Sequence, residues 1–94
     1  MDAECTRLVN LLGIGEQNRI SRIELANLLG VCDRVARERV EEAQLLGVPI
    51  VNLTNGYFLS ESMDELRHYT RRERRRESTI DKKCTALENT EWFD

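Results

Sequence analysis

The stretch LANLLGVCDRVARERVEEAQLLGVPI, from Leu25 to Ile50, constrains this chain more than any other. Leu25, Leu28 and Leu29 form a helical apolar stripe, and Ala26 is small enough to let a second helix come close. Gly30 then closes the first helix in a left-handed conformation. Val31 turns the corner, and Cys32 or Asp33 starts the next helix. Cysteine is a poor acceptor, so Asp33 is the alternative cap. Val35, Ala36, Val40 and Ala43 recur at 3.6-residue spacing and are expected to face inward, with Leu45 or Leu46 near the helix end. Gly47 stops the helix. Two helices joined by a tight glycine corner leave few small folds open.

The flanks extend this pattern. Cys5, Leu8, Val9 and Leu12 keep helical spacing over residues 3 to 12, with Gly13 as a stop and GIGEQNR as a loop. Arg19-Ile20 is a candidate for a very short strand. Ser21-Arg22-Ile23-Glu24 fits a capping box, in which a hydroxyl and a carboxylate satisfy free backbone N–H groups. After Pro49, which suits a strand's first residue, come PIVNL and YFLS, joined by Thr54-Asn55-Gly56. Asn-Gly between apolar runs is a strong hairpin signal, because both residues tolerate positive φ. Ser62-Met63-Asp64-Glu65 is a second capping box, opening a helix expected to run from Met63 to about Leu87. The expected fold is mainly α with a small β-hairpin, an α+β winged helix-turn-helix with a long C-terminal helix. Its parts are a winged domain at 1–61, a basic C-terminal helix at 62–88 packed on it or extending from it, and an acidic tail at 89–94.

ISRIELANLLGVCDRVARERVEEAQLLGVPIVNLTNGYFLS resembles the N-terminal DNA-binding domain of the biotin repressor family. A Leu-Gly-Val corner, a helix ending in Gly-Val and a Gly-Tyr-x-Leu strand follow in the same order over about residues 8 to 60. Nearly the whole chain is similar to small winged-helix proteins of phages and prophages of gut bacteria, in which GYFL precedes an acidic-then-basic helix. The chain departs from the usual pattern at Cys32, where serine is typical. The resemblance implies binding to double-stranded DNA, and ninety-four residues leave no room for a ligase domain.

Charge is sorted along the chain although the net value is only −3. Residues 1–60 carry six basic and eight acidic groups, whereas residues 67–83 carry eight basic and three acidic groups. In a helix-turn-helix the second helix enters the major groove with its first turns. The outward residues there are Asp33, Arg34, Arg37, Glu38 and Glu41. Arg34 and Arg37 are the expected base readers, since guanidinium can bond guanine O6 and N7 together, with Glu38 beside them. Arg22 and Arg39 are candidates for phosphates, as are Asn52, Thr54 and Asn55 on the wing. Arg71, Arg72, Arg74, Arg75 and Arg76 form a basic run able to neutralise several phosphates. The bland alternative is a set of Arg–Glu pairs bracing a solvated helix, because the second helix has a net charge of −1.

Leu66, Ile80 and Leu87 fall on a seven-residue repeat with Glu73 between them, and Cys84 falls on the complementary positions with Thr70 and Glu77. They are the expected contacts of a homodimer through the C-terminal helix. The tail ENTEWFD reads as a frayed end or a small docking patch.

Three widely spaced cysteines, Cys5, Cys32 and Cys84, without a CxxC pair read as small thiols rather than a disulfide scaffold or zinc site. His68 is the single histidine. No carboxylate pair or glycine-rich phosphate loop is present, so neither an enzyme nor a cofactor, metal or small-molecule ligand is expected. With no apolar run of membrane length and no signal core, the expected setting is the cytoplasm. The expected role is a phage or mobile-element regulator of transcription, replication or excision. The alternative is a protein-interaction adaptor that uses the same fold and docks through its C-terminal helix.

Overall fold

A computed structural model describes residues 2–54, 56–74 and 81–94, with the side chains of Leu53, Thr54 and Asp81 excepted. Asp2 caps α1 (Ala3–Leu11) by accepting the Cys5 N–H at 2.8 Å. A 3-10 turn at Glu16–Asn18 follows, then α2 (Arg22–Leu29) and α3 (Asp33–Leu45). Strands β1 (Ile50–Thr54) and β2 (Gly56–Leu59) form an antiparallel pair with Ile50 opposite Leu59 and Val51 opposite Phe58. Helices α4 (Met63–Arg74) and α5 (Asp81–Glu88) complete the described residues. The chain is mainly helical with one small hairpin.

The local signals work largely as expected. Ser21 Oγ accepts the Glu24 N–H at 3.1 Å, and Ser62 Oγ accepts the Glu65 N–H at 3.2 Å. Gly30 adopts φ 71°, and the Val31 N–H returns to the Ala26 carbonyl, closing α2 as a left-handed cap should. Ile20 exchanges both backbone hydrogen bonds with Tyr57, at 3.0 and 2.8 Å, so the short strand expected at Arg19-Ile20 is a single bridge on the edge of the hairpin.

Several expectations are corrected. Leu28, expected in the apolar stripe, is exposed, because α2 turns its Leu25, Ala26 and Leu29 side inward, with Ala26 buried as its small size suggested. Val35 is only half-buried, whereas Gln44, unmarked in the sequence, is buried. Cys32 occupies the α3 cap without a side-chain hydrogen bond, and Asp33 is the first helical residue rather than a cap. Gly56 lies outside the positive-φ region and sits in β2. A β-carbon there would lie 2.8 Å from the Ile20 carbonyl oxygen, so close approach of the Ile20 bridge, not turn geometry, demands glycine.

The largest correction concerns the C-terminal helix. The run expected to continue from Met63 to about Leu87 is two helices, α4 and α5, packed against each other. The reason lies in how the hairpin is buried. Ile50, Tyr57 and Leu59 face a core with Leu8, Leu25, Ala36 and Val40. Val51 and Phe58, on the opposite side of the strands, need a second cover, and Leu66, Tyr69 and Leu87 supply it. One straight helix could present only one turn or two to so small a sheet. Two helices cover it. The tail joins in, since Phe93 packs on this second cluster and Thr90 Oγ1 donates to the Gly47 carbonyl.

Candidate nucleic-acid interface

Helix α3 is the hub of the fold. It packs on α1, α2, β1 and α5, and its Ala36, Val40, Ala43 and Gln44 are buried. The opposite side is left to solvent. There Arg34 has 76% of its side chain exposed, Glu38 has 58% and Arg37 has 54%. The three residues expected to meet base edges thus lie on the open side of the first two turns.

None of these arginines stands apart from a carboxylate. Arg34 Nε lies 3.9 Å from Glu38, one turn on. Asp33 takes two partners: Oδ1 is 2.7 Å from Nε of Arg22, on the first residue of α2, and Oδ2 is 3.6 Å from Nε of Arg37. The i,i+4 pair was legible in the sequence. The link to Arg22 was not, because only the corner brings the starts of α2 and α3 together. Tyr57 of β2 adjoins this group, and burial pushes its hydroxyl pKa up.

The other expected contacts divide. Arg39 lies on the α1 flank of α3, where it is 3.1 Å from Glu4 and only 27% exposed, away from the face that carries Arg34. A hundred degrees per residue turns position 39 out of register with 34 and 38. Asn52 is exposed on β1. The Thr54 side chain, Asn55, Arg75, Arg76 and Ile80 lie outside the described residues. Arg71 and Arg72 are exposed on α4, but Arg74 folds back onto Glu88 and Thr85 of α5. Its hydrogen bond is the main reason the Glu88 carboxyl is held below its ordinary pKa.

The expected dimer contacts are placed otherwise than in an exposed seam. Leu66, Cys84 and Leu87 are each 0% exposed, enclosed within their own chain. The heptad spacing places Leu66, Cys84 and Leu87 between α4 and α5 within one chain. Glu73, which breaks the apolar repeat, is also buried. It accepts from Lys83 Nζ at 2.9 Å and from the Tyr69 hydroxyl at 3.1 Å. Tyr69 in turn accepts from Gln44 Nε2 at 3.1 Å, and that amide also donates to the Ile50 carbonyl at 2.7 Å. This polar chain ties α3 to α4 and α5. Its sign in the sequence was Glu73 interrupting the apolar seven-residue repeat; Gln44 gave none.

A second surface feature lies at the far end of α3. Leu45, Leu46 and Trp92 are 50%, 64% and 41% exposed. They border an open groove of about 570 Å³ floored by Gly47, Val48 and Ala86. Cys5 and Cys84 are buried and Cys32 is exposed. Burial raises the pKa of both buried thiols, which marks them as core rather than reactive groups. Among the described residues no cluster of three potential metal ligands occurs, and no helix is long and apolar enough to cross a membrane.

The chain matches no family model, no curated protein and no solved structure. Function is therefore read from its own geometry.

Proposed function

We propose that the chain is a winged helix-turn-helix protein that binds double-stranded DNA with the first turns of α3 in the major groove. One observation carries this reading. The helix most tightly built into the fold keeps Arg34, Arg37 and Glu38 on an open face directly after a glycine corner. A recognition helix needs this combination of a rigid seat and a free leading edge. The Ile20 bridge beside the β1–β2 hairpin supports the winged form of the motif. Arg22, Asn52, Arg71 and Arg72 are exposed candidates for backbone contacts, which position a protein without reading sequence. The resemblance of the sequence to small phage and prophage winged-helix proteins makes a phage or mobile-element regulator of transcription, replication or excision the setting of this proposal.

Arg22, Arg34 and Arg37 are balanced by Asp33, Glu38 and Glu41, so the electrostatic part of the affinity is modest. Titration of labelled random-sequence duplex at several salt concentrations, followed by anisotropy, tests the reading. Each neutralised phosphate steepens the fall of log affinity with log salt by about 0.9. Arg34→Ala with Arg37→Ala is expected to weaken a selected site by about ten- to a hundredfold and random duplex far less. No binding at low salt sinks the proposal. The adaptor role would then lead, favoured by the exposed Leu45, Leu46 and Trp92.

A further inference from the structure

We infer that Asp33 is a positioning residue that sets the base selectivity of Arg37; this rests on the DNA reading above. Its two carboxylate oxygens are divided between two guanidinium groups from two helices, Arg22 Nε at 2.7 Å and Arg37 Nε at 3.6 Å. Arg34 is paired with Glu38 at 3.9 Å, a carboxylate that among the described residues makes no ion pair to a second helix, and it is the most exposed of the three. The two candidate readers therefore differ in how far they are held before any duplex arrives.

The chemistry follows from the fork of the guanidinium. Arginine offers five N–H donors in one plane. Asp33 Oδ2 lies on the Nε side of Arg37 at ion-pair distance, 3.6 Å, which leaves the terminal amino groups as the paired donors that guanine O6 and N7 accept. A guanidinium already steadied by a carboxylate loses less side-chain freedom on binding than one free to swing. The same carboxylate acts against the wrong partner. It stands at the leading end of α3, where a duplex docked without base contacts would bring phosphate, and like charges repel. Asp33 thus strengthens the specific complex and weakens the non-specific one. Arg34, paired only with a carboxylate that is not itself tied to α2, reads its base more permissively.

The test compares wild-type protein with Asp33→Asn, each taken through selection from a randomised duplex pool. Anisotropy then measures affinity for the selected and the random duplex. The variant is expected to bind random duplex more tightly and the selected duplex more weakly, lowering the ratio by about tenfold or more. One preferred guanine should also vanish from its selected motif. Glu42→Gln is the charge-matched control, on the exposed α1 side of α3. It should raise both affinities together and leave the ratio unchanged. If Asp33→Asn behaves as Glu42→Gln does, Asp33 is only a charge and the inference falls. A melting point lowered with the ratio intact would assign Asp33 a structural role and also overturn it. Failure of the wild-type protein to bind any duplex removes the DNA reading itself.

Discussion

Two regions of this molecule each pair a basic side chain with a glutamate and put the pair to opposite ends. On the outer face of α3, Arg34 lies 3.9 Å from Glu38 with 76% and 58% of the side chains in solvent. Between α4 and α5, Lys83 lies 2.9 Å from Glu73 with 12% and 10% exposed. Water screens the first pair, and such exposed pairs are worth about 0–1 kcal/mol. The second is shielded and joined by Tyr69 and Gln44, so removing its ammonium withdraws a cation from a buried carboxylate. The sequence shows the first as an acidic and a basic residue one turn apart and the second as an acidic and a basic residue ten positions apart. Burial decides which pair is architecture and which can be exchanged for a ligand.

The sharpest way to break the comparison is Lys83→Met. Glu73 would then keep its Tyr69 hydrogen bond but lose the Lys83 ammonium, which is expected to cost about 3–5 kcal/mol. A melting point lowered by roughly 12 °C or more in calorimetry would agree, at about 4 °C or more per kcal/mol for a domain of this size. A change of a degree or two would show the pair to be dispensable. The pH profile of the wild-type protein sharpens the point. Burial disfavours the Lys83 charge, but Tyr69 and Glu73 outweigh it and hold the pKa above its ordinary value. Burial likewise raises Tyr69. In both cases the folded state retains its proton longer than the unfolded chain. Their contribution is complete at neutral pH and is lost as pH rises above about 10.

Next in size is Leu87→Ala, expected to destabilise the protein by about 2–5 kcal/mol through the cavity it leaves under α5. Since Leu87 is packed within its own chain, the loss should not depend on protein concentration. A loss that grows on dilution would return Leu87 to an interface between copies. The smallest effect is expected for Arg34→Ala. Its stability change should stay within about 0.5 kcal/mol, as for exposed residues that anchor nothing. A loss above about 2 kcal/mol would mean that the α3 face is structural and not a free surface.

The two regions also differ in how far the sequence disclosed them. The corner from Leu25 to Ile50 was legible because its signals are local. Gly30 acts on its own φ, Ser21 caps within three residues, and Ala36, Val40 and Ala43 recur at the helical period. Exposure of Arg34, Arg37 and Glu38 follows from the same period. Arg39 was misplaced because a helix with two buried flanks, against α1 as well as α2, leaves a narrower open face than the pattern implied. The shared carboxylate of Asp33 was half visible, as a pair one turn apart, and half hidden, since Arg22 meets it only across the corner.

In the C-terminal part the pattern itself was ambiguous. Leu66, Cys84 and Leu87 at heptad spacing satisfy a seam between two copies or a fold-back within one, and periodicity cannot distinguish these. What decided was the far side of the hairpin. Val51 and Phe58 face away from the first core, and burying them required α4, α5 and Phe93 on the same sheet. The sequence by itself determined helices α1 to α3, the Ser21 and Ser62 caps, the glycine corner and the hairpin, because each depends on residues within a turn or two of one another. Only the tertiary structure decided which charges are buried, which arginines share a carboxylate and where the C-terminal segment folds back. Those outcomes depend on apolar area and desolvation summed over elements far apart in the chain.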